Sequence, residues 1–204
     1  MTTHTTPYNH YVIDGFMNPD RFDEVQTLFK SLVQHGEWEL LNDEAQHDIA
    51  RCHDGEKDDS MARLKEIMRD TLLKEQVYTH VLDKGCSFVN DNDSVRTSLL
   101  SMGTGSSIDR HVDFGSVEEG VVHVNALLYV HDAWEENAWG GELLMHGGNS
   151  DSDVRRYTPL PNRLVVFVSD ERSFHEVAEV RCPADVFRRS VMTYVKFRRG
   201  EGVV

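Results

Sequence analysis

After residue 93 the chain stops reading as helix and breaks into short apolar runs separated by Gly, Asn and Asp clusters. Six runs stand out: SVRTSLLSM (94–102), VVHVNALLYVH (121–131), GELLMH (141–146), RLVVFVS (163–169), FHEVAEV (174–180) and RRSVMTYVKF (188–197). Short runs bounded by turn formers at regular spacing read as strands that pair into a sandwich or barrel. The first half reads differently. Residues 18–36 predict a helix, with Asn18 as N-cap, Pro19 at the first helical position and Gly36 as the stop. Phe22, Val25, Leu28, Phe29, Leu32 and Val33 form its apolar stripe. A second helical pattern runs from about Asp58 to Leu82, with Met61, Leu64, Ile67, Met68 and Leu72 on one face. Between the two, EWELLN (37–42) suggests a strand, and the acidic 42–59 segment a loop. The expected class is α+β, mainly β: helices first, then a β core on which they pack.

At 204 residues the expectation is a single domain over 1–204, with helical support in 1–93 and the β core in 94–199. The formal net charge of −14 repels phosphate backbones and argues against a nucleic-acid partner. Cys52, Cys86 and Cys182 are scattered without a CxxC pair, which suits a reducing cytoplasm better than a disulfide framework. The opening MTTHTTPYNHYVIDGF lacks a signal-peptide pattern, and the longest apolar stretch, 121–130, is far too short to span a membrane. A cytoplasmic protein is expected, and the sequence leaves its oligomeric state open.

Chemistry enters at DRHVDFG (109–115). With 11 histidines in this chain, about one His-x-Asp is expected by chance, so His111 and Asp113 alone prove nothing. On a strand or strand end, however, residues two apart point the same way and can reach one ion. Two imidazoles and one carboxylate on one face of Fe(II) leave positions open for co-substrate and oxygen. The third ligand must come from a distant strand, and His123, His131, His146 and His175 are the candidates downstream. His175 is the best placed, because it opens a strand pattern directly after a buried strand and its turn. Thirteen residues beyond it stands Arg188, followed by Arg189 and Ser190. Alternation lets only one of the two arginines face inward, where it can form a two-pronged pair with a carboxylate.

The ordered set of His-x-Asp, GGEL, a strand-borne histidine and Arg-x-Ser resembles the catalytic core of the Fe(II)- and 2-oxoglutarate-dependent oxygenases, of the prolyl 4-hydroxylase type. The resemblance rests on LLSMGTGSSIDRHVDFG, LLYVHDAW, WGGELLMHG, NRLVVFVSDERSFHEVAEV and RRSVMTYV, and more weakly on HYVIDGFMNPDRFDEVQTLFKSL. It implies a double-stranded β-helix, a distorted jelly roll, with supporting helices. It implies Fe(II) on His111, Asp113 and His175. Arg188 and Ser190 would bind the distal carboxylate of 2-oxoglutarate. Tyr129 would contact the co-substrate, with Asn125 and Leu127 on the same strand face and Leu143 lining the same pocket. Asp109, Arg110 and Phe114 would flank the mouth, and Trp139 beside Trp134 would stand near it as a substrate contact. Tyr194 takes a place where many relatives have tryptophan.

The implied reaction consumes 2-oxoglutarate and O2, gives succinate and CO2, and oxidises an unactivated C–H bond, with ascorbate as a reductant that sustains turnover. Halogenating relatives carry a small residue where this chain has Asp113, so hydroxylation is the expected outcome. The substrate reading is a free amino acid or related small metabolite. Two alternatives stand beside it: a hydroxylase of a residue in a protein or peptide, and a cupin-like metal-binding sensor without turnover.

Overall fold

The first helix begins where its cap demands. The Asn18 Oδ1 accepts a hydrogen bond from the backbone N–H of Arg21 at 3.0 Å, satisfying one orphan donor of α1 (Pro19–His35). The computed structural model describes residues 2–35, 38–40, 49–53, 59–90, 94–113, 120–147 and 153–200, so the expected stop at Gly36 lies outside them. Val25, Phe29 and Leu32 of the predicted stripe are buried, whereas Val33 is exposed at 39% and lies off the packed face. The second helix, α2 (Asp59–Lys74), buries all five residues of its predicted face. It ends earlier than its pattern suggests: Gln76 turns left-handed, at φ 49°, and one 3-10 turn (Val77–His80) replaces the last turns.

Thirteen strands are described. The N-terminal part supplies β1 (Thr2–His4), β2 (His10–Ile13), β3 (Glu39–Leu40), β4 (Ile49–His53) and β5 (Ser87–Phe88). The rest are β6 (Val95–Met102), β7 (Ile108–His111), β8 (Val121–Tyr129), β9 (Leu143–His146), β10 (Val154–Tyr157), β11 (Leu164–Ser169), β12 (His175–Val177) and β13 (Arg188–Arg198). Nine form a large sheet in the order β1-β2-β11-β8-β13-β6-β4-β3, with β5 on β13; four form a small sheet, β10-β9-β12-β7. Strand pairing across both sheets is antiparallel, the arrangement of a double-stranded β-helix. Two expectations are corrected here. The 42–59 segment is no continuous loop, because Ile49–His53 pairs with β6. The first 93 residues also contribute more than helical support, since β2 pairs with β11 and extends the large sheet. Among the described residues no helix is long and apolar enough to cross a membrane.

The large sheet is buried on both faces, which explains why β11 reads as a nearly continuous apolar run and why β8 is apolar apart from His123 and Asn125. One face packs Leu99, Val124, Leu128, Val166, Val191 and Val195 against Val25, Phe29, Leu64 and Met68 of the helices. The other face turns Val12, Leu127, Tyr129, Val165 and Phe167 toward Leu143 and Met145 of the small sheet. The site lies on this second face, between the sheets.

Candidate metal and co-substrate site

His111 ends β7 and His175 begins β12, and the two are register partners in the small sheet. Their rings lie 4.4 Å apart. Asp113 follows two residues beyond His111, and the ligating atoms of all three converge within 4.8 Å of one another. The His111 Nε2 is 3.6 Å from Asp113 Oδ1, and the His175 Nε2 is 3.6 Å from Asp113 Oδ2. Each imidazole is oriented from behind. His111 Nδ1 lies 2.7 Å from the Asp109 carbonyl, and His175 Nδ1 lies 2.9 Å from the Ser173 carbonyl. A carbonyl only accepts, so both Nδ1 atoms carry the proton and both Nε2 lone pairs face the site. Phe167 packs edge-on to His175 at 5.1 Å.

Asp113 is held just as firmly. The Asn125 Nδ2 donates to its Oδ2 at 2.8 Å. Burial pushes the Asp113 carboxyl up, but whenever His111 and His175 also carry a proton on Nε2, their hydrogen bonds and charge outweigh it and hold it well below the usual carboxylate range. Two neutral-tautomer imidazoles and an ionised carboxylate, with no thiolate, are the donor set that suits Fe(II). Asn125 thus faces the metal-ligand carboxylate from the strand face it shares with Leu127 and Tyr129.

Farther along the same inner face stands Arg188, with its side chain fully buried. Its Nε donates to the Gly141 carbonyl at 2.8 Å, one terminal nitrogen reaches the Tyr129 hydroxyl at 3.3 Å, and the other faces Met102 Sδ at 3.7 Å. The guanidinium carbon also lies 5.0 Å from the Tyr129 ring centroid. Burial lowers its pKa, and Tyr129 and Glu142 work in the other direction. Among the described residues no carboxylate pairs with it. A buried guanidinium without an anion is costly unless a ligand supplies one. Ser190, on the same face and opposite Tyr129 in register, has a buried Oγ without a hydrogen-bond partner among the described residues. A fixed cation beside an unpartnered hydroxyl fits a ligand carboxylate. Arg189 points the other way, with its guanidinium 6.0 Å from the Phe29 ring centroid on the helix side. Leu127, Leu143 and Tyr129 share one apolar cluster beside this end.

The role of the GGEL turn was not legible in the sequence. Gly141 has φ +67°, and a Cβ there would lie 3.0 Å from Arg188 Cδ and 3.2 Å from Trp134 Cζ2. At Gly140, with φ +63°, a Cβ would collide with the Glu179 carbonyl oxygen. The paired glycines therefore do more than enter a strand: they let the backbone close on Arg188. Trp134 donates from Nε1 to the Gly140 carbonyl at 3.0 Å and is crossed by Trp139 at 87°. Trp139 thus packs near the Arg188 end with Val177, Val180 and Cys182, and the structure does not bring it to the metal-ligand end. Arg110 lies over the Phe174 ring at 5.3 Å, and Asp109 is exposed, with its backbone carbonyl serving His111. Phe114 lies outside the described residues. The other candidate histidines stand apart from the metal ligands. His131 is buried with Nε2 2.5 Å from the Pro159 carbonyl, and His146 Nε2 faces Glu176 at 3.5 Å. His123 is half-buried on β8.

Comparisons agree with this geometry. Residues 97–196 match the model of the 2OG-Fe(II) oxygenase superfamily. Among solved structures, the fold is similar to a prolyl hydroxylase from Trichoplax adhaerens in complex with a hypoxia inducible factor peptide fragment (TM-score 0.66, 18% identity, 91% of this chain and 82% of that one). It is similar to a Pseudomonas putida prolyl-4-hydroxylase (TM-score 0.64, 20% identity, 93% and 92% coverage). It is also similar to the alpha ketoglutarate dependent epimerase SnoN of nogalamycin biosynthesis (TM-score 0.63, 16% identity, 96% and 82% coverage). No curated protein matches the chain.

Proposed function

Because the chain belongs to the 2OG-Fe(II) oxygenase superfamily and is a 2-oxoglutarate-dependent dioxygenase, we propose that it hydroxylates an unactivated C–H bond of a free amino acid or related small metabolite. When bound, Fe(II) and 2-oxoglutarate supply oxidative decarboxylation, with succinate and CO2 released as the substrate is oxidised. The protein's share is binding, aim and exclusion of water. In this reading His111, Asp113 and His175 hold the metal. Arg188, fixed by the Gly141 carbonyl, anchors the distal carboxylate of the co-substrate, and the unpartnered Ser190 hydroxyl donates to the same group. The Tyr129 hydroxyl keeps the guanidinium in plane, and Leu127 and Leu143 keep that end dry. The observation that carries the reading is the buried Arg188, which has no anion paired with it among the described residues, on the same inner face as the ionised Asp113. The free thiols of Cys86 and Cys182 support a cytoplasmic location.

A second reading, hydroxylation of a residue within a peptide, draws on the likeness to prolyl hydroxylases, one of them solved with a peptide fragment. One assay separates the two. Purified protein is incubated with Fe(II), ascorbate and 2-oxoglutarate, alone and with free amino acids or proline-containing peptides. Succinate and the mass of each additive are then followed. A free amino acid that stimulates succinate and gains one oxygen atom supports the first reading. Stimulation by peptides alone supports the second. Loss of two hydrogens without gain of oxygen would replace hydroxylation by desaturation.

A further inference from the structure

The inner face of β13 carries a second cation at the end opposite Arg188. Val191, Val195 and Phe197 pack on the helix side, so alternation leaves Arg188, Ser190, Met192, Tyr194 and Lys196 on the inner face. Cross-strand register continues these positions into rows. Asn125 lies between Phe167 and Tyr194, and His123 lies between Ser169 and Lys196. Rows on one face are two residues, or about 7 Å, apart. Asn125 already touches the Asp113 carboxylate. The Ser169–His123–Lys196 row is therefore the next one beyond the metal ligands, on the side away from the co-substrate anchor.

Two buried polar atoms on these rows have no hydrogen-bond partner among the described residues: Asn125 Oδ1 and Ser169 Oγ. Their residues are 3% and 1% exposed, so water does not account for them cheaply. The Asn125 oxygen is an acceptor, because its amide nitrogen is committed to Asp113. The Ser169 hydroxyl can donate, and half-buried Lys196 completes the row. The neighbouring row adds Arg96 opposite Tyr194. Among the described acids near this junction, Asp113 is taken up by His111, His175 and Asn125, and Asp170 by Arg172. This stretch thus offers cations and a donor to an anion, in a chain whose net charge is −14. One acceptor, the Asn125 oxygen, stands between that row and the metal site.

We propose that the Ser169–His123–Lys196 row is a subsite for a substrate carboxylate, with Asn125 Oδ1 accepting from an N–H or O–H on the same substrate. A carboxylate with an adjacent donor is the signature of an α-amino acid, and the spacing puts the oxidised carbon a few bonds from the carboxylate. This deepens the small-metabolite reading and rests on it. The same chemistry can come from a free amino acid or from the C-terminal residue of a peptide.

The test uses Zn(II)-loaded full-length protein with 2-oxoglutarate, in which binding is measured without turnover. Calorimetry compares the common L-amino acids, their carboxamides, and tripeptides with free or amidated C-termini. At least one free acid is expected to bind, and its carboxamide to bind at least about tenfold more weakly, as the loss of a charge-assisted hydrogen bond implies. Lys196→Gln should weaken the acid about ten- to a hundredfold and leave the carboxamide unchanged, and Lys196→Arg should restore most of the loss. Binding by free-acid tripeptides alone upholds the subsite and assigns it to a peptide C-terminus. Equal affinity for acid and carboxamide, an equal effect of Lys196→Gln on both, or no binding by any carboxylate overturns it. Acid binding without succinate from the Fe(II) enzyme would instead remove the oxygenase reading and leave the subsite standing.

Discussion

Replacing Gly141 by alanine tests how Arg188 is held. Two costs are built into the position. The left-handed backbone, at φ +67°, costs an L-residue about 1–2 kcal/mol. The added methyl also meets Arg188 Cδ at 3.0 Å and Val180 Cγ2 at 3.2 Å, tighter than ordinary packing on two sides. Trp134 and Val180 are buried in one cluster, so the arginine gives way and its 2.8 Å bond to the Gly141 carbonyl lengthens. Gly105 is the control: its φ is +84°, but nothing lies within 4 Å of a Cβ there. Gly105→Ala should lose only the backbone term, about 1–2 kcal/mol by denaturant titration. Gly141→Ala should lose more, and its KM for 2-oxoglutarate should rise about tenfold, the equivalent of one charge-assisted hydrogen bond at roughly 1.5 kcal/mol. If the two variants match in both stability and co-substrate KM, Gly141 is only a turn and its support of Arg188 is wrong.

Other outcomes follow from the same geometry. His175→Ala removes one of three converging ligands, so Fe(II) affinity by equilibrium dialysis should fall at least about a hundredfold, and unchanged affinity would remove His175 from the site. Tyr129→Phe deletes the hydroxyl beside Arg188 and should raise the co-substrate KM severalfold with little change in overall fold by circular dichroism. Burial lowers the pKa of His131 and of His10 to about 4, so their neutral forms belong to the folded state. The unfolded chain takes up protons first, and stability present above about pH 6.5 is lost as pH falls toward 4, by at most about 1.4 kcal/mol per pH unit for each histidine. His131→Gln should flatten that slope in denaturant titrations across the window, and an unaltered slope would contradict the assignment.

Much of the site was legible because its parts obey local rules. His111 and Asp113 share a face by the period of two, and so do Arg188 and Ser190; alternation alone narrows the arginine to one of two. The helices read well where an apolar stripe meets a core, as in α2, and failed where a stripe residue such as Val33 lies at the edge of the buried face. β4, β7 and β10 were missed, and of these Ile108–His111 and Val154–Tyr157 have no buried residue on either face. Their pairing partners, not their composition, make them strands. The Asn125–Asp113 bond joins residues 12 positions apart, and the role of Gly141 depends on an arginine 47 residues away. Neither has a local signature.

The most direct test is a crystal structure of the protein with Mn(II), a redox-quiet stand-in for Fe(II), and 2-oxoglutarate. The account predicts the metal on His111 Nε2, His175 Nε2 and an Asp113 oxygen, and the co-substrate's distal carboxylate within hydrogen-bond distance of Arg188 and Ser190 Oγ. A metal bound elsewhere, or a carboxylate seated on Arg189 or on no arginine, would contradict it.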